Sequence, residues 1–119
     1  MRSARVDAPW GTLALDLQVA TRMGERLKGW MGRRGIGARD ALLIRPCSSV
    51  HTFFMAQPID VVFLDAHDVV LAVHPAVPPR RVRAHWRAAA TLELCAGRGA
   101  QLRIVPGLVL DIVNREEEP

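Results

Sequence analysis

Hydrophobic and polar positions alternate most cleanly near the start of the chain. In the run WGTLALDLQVA, Leu13, Leu15, Leu17 and Val19 share one parity, while Thr12, Ala14, Asp16 and Gln18 share the other. A period of two predicts a half-buried β-strand. The period then changes. In RMGERLKGWM, Met23, Leu27, Trp30 and Met31 recur at helical spacing on one face, and Thr21 stands where an N-cap is needed. Gly24 and Gly29 each cost such a helix about 1 kcal/mol relative to alanine, so tertiary packing is expected to hold it. The glycines of GRRGIG end it.

The rest of the chain reads mostly as strands. ALLIRP is short, apolar and ended by Pro46. SVHTFFM is the next strand and stops at Gln57-Pro58. IDVVFLD is apolar on both parities, as a central strand with neighbours on both faces would be. After the polar turn Ala66-His67-Asp68, VVLAVHPAV runs back as its hairpin partner. PPRRVRAHWR is a loop or an extended edge, and ATLELCAG is another strand. A short helix follows around AQLRI, and LVLDIV closes the chain. The predicted fold is α+β. It is a mainly antiparallel, strongly curved sheet or partial β-barrel of about seven strands, with one N-terminal helix and one short helix. No repeat or linker divides it, so residues 1–119 read as a single domain. Its core spans about 12–113, with 1–9 and 114–119 expected as flexible ends.

Three blocks of this pattern resemble a known family. ERLKGWMGRR resembles the Arg-x-x-Gly-Leu-Met-x-Arg signature of the bacterial and archaeal domain-of-unknown-function family 192. HTFFMAQPIDVVFLD resembles its Thr/Ser-Phe-x-Met stretch followed by Pro-Ile/Leu-Asp and a hydrophobic strand. LELCAG resembles its Leu-Glu-x-x-x-Gly block. Trp30 stands where leucine is usual, and Leu108 where an aspartate often follows the glycine. The resemblance implies a compact domain built largely from strands, and it implies no activity. Its most typical polar positions fall on Asp60 and Glu93, with Met55 and Gly97 beside them.

The stretch CSSVHTFFMAQPID gathers a thiol, an imidazole, a thioether and a carboxylate: Cys47, His51, Met55 and Asp60. In a fully extended strand, Cys47 and His51 would lie roughly 13 Å apart, too far to share a metal or to pair as nucleophile and base. Only a bend at CSSV brings them together. Zinc needs at least three protein ligands, and Cu(I) would accept a thiolate and a thioether. Asp60 and Glu93 could divide acid and base roles as candidate catalytic groups. The plainer reading is that each accepts hydrogen bonds inside an apolar sheet and fixes a turn.

Composition adds limits. Net charge is +4, with fifteen arginines and one lysine. Arg80, Arg81, Arg83 and Arg87 surround His85 and Trp86, a group that could hold phosphate or stack a base. No nucleic-acid-binding motif accompanies it, which weighs against nucleic acid. The two cysteines, Cys47 and Cys95, form no disulfide scaffold and read as reduced apolar residues. No apolar run of 18 residues suggests a membrane span, and no apolar segment follows the basic start, so a cytoplasmic protein is expected.

These observations favour a small non-catalytic binding or interaction domain, without a cofactor, and monomeric or weakly oligomeric. Its ligand would be a small molecule or a protein, taken in a cleft near Met55, Asp60 and Glu93 with Arg81 and Trp86 at the rim. One alternative is a thiol-based enzyme or a soft-metal (Zn or Cu) protein using Cys47 and His51. Another is anion or RNA binding through the Arg80–Arg87 loop.

Overall fold

The structure is a computed structural model, and it describes residues 1–115. In chain order the elements are β1 (Arg2–Ala8), β2 (Gly11–Thr12), β3 (Asp16–Ala20), α1 (Met23–Lys28), β4 (Asp40–Ile44), β5 (Ser49–His51), β6 (Ile59–Leu64), β7 (Val70–Val77), β8 (Val82–Ala84), β9 (Ala90–Cys95), α2 (Arg98–Gln101) and β10 (Asp111–Asn114). The main sheet runs β10-β1-β3-β4-β9-β6-β7, with β2 paired to β1, and β5 pairs β8 separately. The sheet curls into a half-barrel. It is mixed: β3 and β4 pair in parallel, and the other pairs are antiparallel.

Each strand reads against the alternation that predicts it. Leu13, Leu15, Leu17 and Val19 are all buried, although that run is strand only at Gly11–Thr12 and Asp16–Ala20. IDVVFL is buried at every position, because β6 has strands on both sides and packed side chains on both faces. Even positions Val62 and Leu64 join Leu92 and Leu94 of β9 in one apolar cluster with Leu17 and Leu43. Odd positions Ile59, Val61 and Phe63 join Leu42 and Ile44 of β4 in a second cluster on the other face.

Three expectations need correction. Residues 1–9, expected as a flexible lead, supply β1, which lies between β10 and β3 and buries Ala4, Val6 and Ala8. The expected flexible end 114–119 begins at the last residue of β10, and 116–119 lie outside the described residues. SVHTFFM is not one strand: β5 ends at His51, and Phe54 takes a φ of 67° in the turn that follows. Helix α1 differs as well. It covers six residues, starts after Arg22 rather than Thr21, and buries none of its side chains, with Met23 and Leu27 on the surface. Of the expected apolar face only Trp30, past the helix end, is buried.

Candidate functional site

The two carboxylates of the sheet lie one register step apart on neighbouring strands. Asp60 of β6 stands opposite Leu94, and Glu93 of β9 stands opposite Val61 and Leu42. Paired residues share a face and successive residues alternate. Asp60 therefore points to the face of Leu92 and Leu94, and Glu93 to the face of Leu42 and Val61. The expected cleft holding both acids is not formed, because the pleat puts them on opposite sides of the sheet.

Asp60 is surrounded by donors. Its carboxylate accepts the main-chain N–H of Ala76 at 2.8 Å, of Gly97 at 3.1 Å and of Gly99 at 2.8 Å. Ala76 belongs to a bulge, since β7 places two residues, Pro75 and Ala76, opposite the single residue between Ile59 and Val61. Its φ of 47° marks the sharp turn of the chain there. Gly97, at a φ of 90°, begins the turn into α2. One buried side chain thus ties the β7 bulge to the start of α2. Gly99 is needed for this approach: a Cβ there would lie 3.1 Å from Asp60 Oδ2.

Glu93 is equally enclosed, at 6% exposure, but its surroundings are different. Among the described residues no group donates a hydrogen bond to its carboxyl. Burial pushes its pKa up to about 7, with no neighbouring cation offsetting the effect. The carboxyl lies at the base of a cavity of about 140 Å³. Ile44 of β4 adjoins it. Cys47, Ser49, Val50 and His51 form one wall, Phe53 and Met55 another, and residues 26–31 the roof. Gly29 sits directly above: a Cβ there would come 3.9 Å from Glu93 Oε1.

The roof is the connection from β3 to β4, and polar bonds fasten it. The Gln57 amide bonds both main-chain groups of Ile36, accepting from its N–H at 3.0 Å and donating to its carbonyl at 3.1 Å. Gly32 N–H donates to Phe54 O at 3.3 Å. Arg26 Nη1 donates to Pro46 O at 3.1 Å, and its Nε is buried without a partner. The turn that carries Phe53 and Met55 is held from the other side by Thr52. Its hydroxyl donates to Pro78 O at 2.6 Å and accepts from Arg81 N–H at 2.9 Å. A second cavity of about 630 Å³ shares Arg26, Leu27, Ile44, Cys47 and Ser49 with the first.

The structure thus brings Cys47, His51, Met55 and Glu93 to one cavity and leaves Asp60 apart from them. Cys47 Sγ donates to Ser49 O at 3.2 Å. Among the described residues no three of histidine, cysteine, aspartate and glutamate stand together so as to hold a metal. Arg81 and Trp86 do not line this cavity. Trp86 is 89% exposed, with the Arg87 guanidinium 5.8 Å from its ring centre. His74 is held below its ordinary pKa, first by burial and then by Arg83 and His85. Sequence reasoning missed the roof residues Arg26, Trp30 and Met31 as site residues. Their signal was the block ERLKGWMGRR, read there as a helix face rather than as a lining.

Comparison with known proteins agrees with the fold. The sequence model of the DUF192 family, described as an uncharacterized ACR, matches residues 5–112. A protein of unknown function from Novosphingobium aromaticivorans is similar in structure, with a TM-score of 0.79 and 21% identity. That match covers 92% of this chain and 83% of the other. A proposed transcription regulator from Sinorhizobium meliloti is similar at a TM-score of 0.80 and 22% identity, over 93% of this chain and 92% of its own. No curated protein matches. Among the described residues no helix is long and apolar enough to cross a membrane.

Proposed function

We propose that this chain, which belongs to the DUF192 family, is a small-molecule-binding domain whose ligand enters the cavity between the β3–β4 connection and the sheet. One observation carries the reading: Glu93 is buried at the base of that cavity and has no hydrogen-bond partner among the described residues. A carboxyl that faces a cavity without a protein donor can accept a hydrogen bond from a ligand, worth about 1.5–3 kcal/mol where a charged group takes part. The walls fit the same reading, since aromatic, aliphatic and thioether side chains make up most of them and Arg26, Lys28, Ser49 and His51 supply polar groups. Binding is favoured over turnover because the Cys47 thiol is bonded to a main-chain carbonyl and Asp60 is fully engaged by amides.

The test is a fragment screen read by two-dimensional NMR on uniformly labelled protein. Fragments that bind here shift the Trp30 indole and Met55 methyl signals, and Glu93→Gln weakens them. If a broad fragment set moves neither signal, the cavity is not a ligand site.

A further inference from the structure

We propose that the ligand is a small organic cation, a protonated amine on an apolar body, whose ammonium group is held by the Glu93 carboxylate. The inference rests on the cavity reading above and names the class of molecule that fits it. A carboxylate in an apolar enclosure is best satisfied by a charged donor, because hydrogen bonds between charged groups are about twice as strong as neutral ones. Trp30 and Phe53 add aromatic surface to the lining, the Trp30 ring already drawing the Arg33 guanidinium at 5.8 Å, and Met31 and Met55 add polarizable thioethers. A space of about 140 Å³ is close to that of a cavity that accepts benzene, so a single six-membered ring fits. A longer apolar body would reach the larger cavity past Leu27 and Ile44.

The ionisable groups facing this space are Glu93 itself, Arg26 and Lys28 of the roof, and Cys47 and His51 of the wall. Arg26 Nη1 donates to Pro46 O while its Nε has no partner, and neither Arg26 nor Lys28 offsets the effect of burial on Glu93. An entering ammonium supplies the missing positive charge. It arrives protonated, the Glu93 carboxyl gives its proton to solvent, and an ion pair forms. Binding below pH 7 therefore releases up to one proton per ligand, with no other change of bonding.

Isothermal titration calorimetry of the whole chain with benzylamine, benzyl alcohol and benzoate tests this, in two buffers of different ionisation enthalpy. Benzylamine is expected to bind about tenfold or more tightly than benzyl alcohol, with release approaching one proton at pH 6. Its affinity should rise by up to about tenfold per pH unit toward pH 7 and level off above it. Glu93→Gln should reduce benzylamine to the affinity of the alcohol, while His51→Ala keeps the pH profile. Should Glu93→Gln fail to fold, the proton count and pH profile of the unaltered chain decide alone. If the alcohol or benzoate binds as well as the amine, or the amine binds without releasing a proton, the cation inference falls and the cavity reading stands. If none of the three binds and the NMR screen is also silent, both fall.

Discussion

Asp60 and Glu93 make a natural comparison, because they occupy neighbouring register positions in one sheet and are buried alike. Asp60 receives three amide donors from the β7 bulge and the α2 turn. Glu93, on the other face, receives none and lies under a cavity. The carboxyl group and the burial are shared, so neither decides the role. What decides it is the chain that passes over each face. On one side, two glycines and a bulge direct N–H groups at the acid. On the other, the β3–β4 connection directs side chains and a glycine carrying no free donor.

Replacing Asp60 should test the contrast most severely. Asp60→Ala leaves the buried Gly99 amide and the amides of Ala76 and Gly97 without their acceptor, and a loss of about 3–6 kcal/mol in folding stability is expected from chemical denaturation. A loss under about 1 kcal/mol would show that water replaces the carboxylate and that the acid does not tie these segments together.

Glu93 should behave in the opposite sense. Its folded pKa is raised, so the folded state holds a proton that the unfolded chain releases above its ordinary carboxyl pKa. The stability this protonated group contributes is present at low pH and is lost as pH rises from about 4.5 to about 7, by about 3 kcal/mol in total. Glu93→Gln should remove that slope, seen as the difference between the two denaturation profiles across this range. Parallel profiles would place the carboxyl in contact with solvent or a donor.

A smaller effect is expected where Asp60 meets α2. Gly99→Ala should cost about 1–2 kcal/mol by crowding the carboxylate, and the cost should vanish when Asp60 is already alanine. The smallest belongs to the roof: Leu27→Ser, on a helix that buries nothing, should change stability by less than about 0.5 kcal/mol. The same substitution weakens any ligand that extends into the larger cavity, which separates binding from folding at one position.

Much of the sheet was legible because burial imposes a simple period. The leucines of LALDLQV and the doubly apolar IDVVFL announced which faces they serve. β1 was harder to read. Its inward residues are Ala4, Val6 and Ala8, and small alanines give a weak signal between arginines and an aspartate. The α1 face misled for a different reason. Met23 and Leu27 have helical spacing, but the helix ends before it can lay that face on the sheet, and Gly29 turns the chain so that Trp30 is buried instead. The site was half legible. Glu93, Met55, Cys47 and His51 could be picked by type, but which acid shares their face depends on strand register, and register is a property of pairs of segments. The path that brings Cys47 and His51 to one wall likewise depends on residues far along the chain, with Cys47 N–H donating to Ala89 O and His85 N–H donating to Ser48 O.

The parallel pairing of β3 with β4 carries one more implication. Two strands running the same way cannot be joined by a tight turn; the chain must travel the length of the sheet to start again. That return passage is the segment that roofs Glu93. A covered hollow on this face is therefore built into the connectivity itself, whatever side chains line it. Relatives with the same strand order would inherit the chamber and remain free to alter its contents, so one architecture could serve different ligands through changes in a few roof positions.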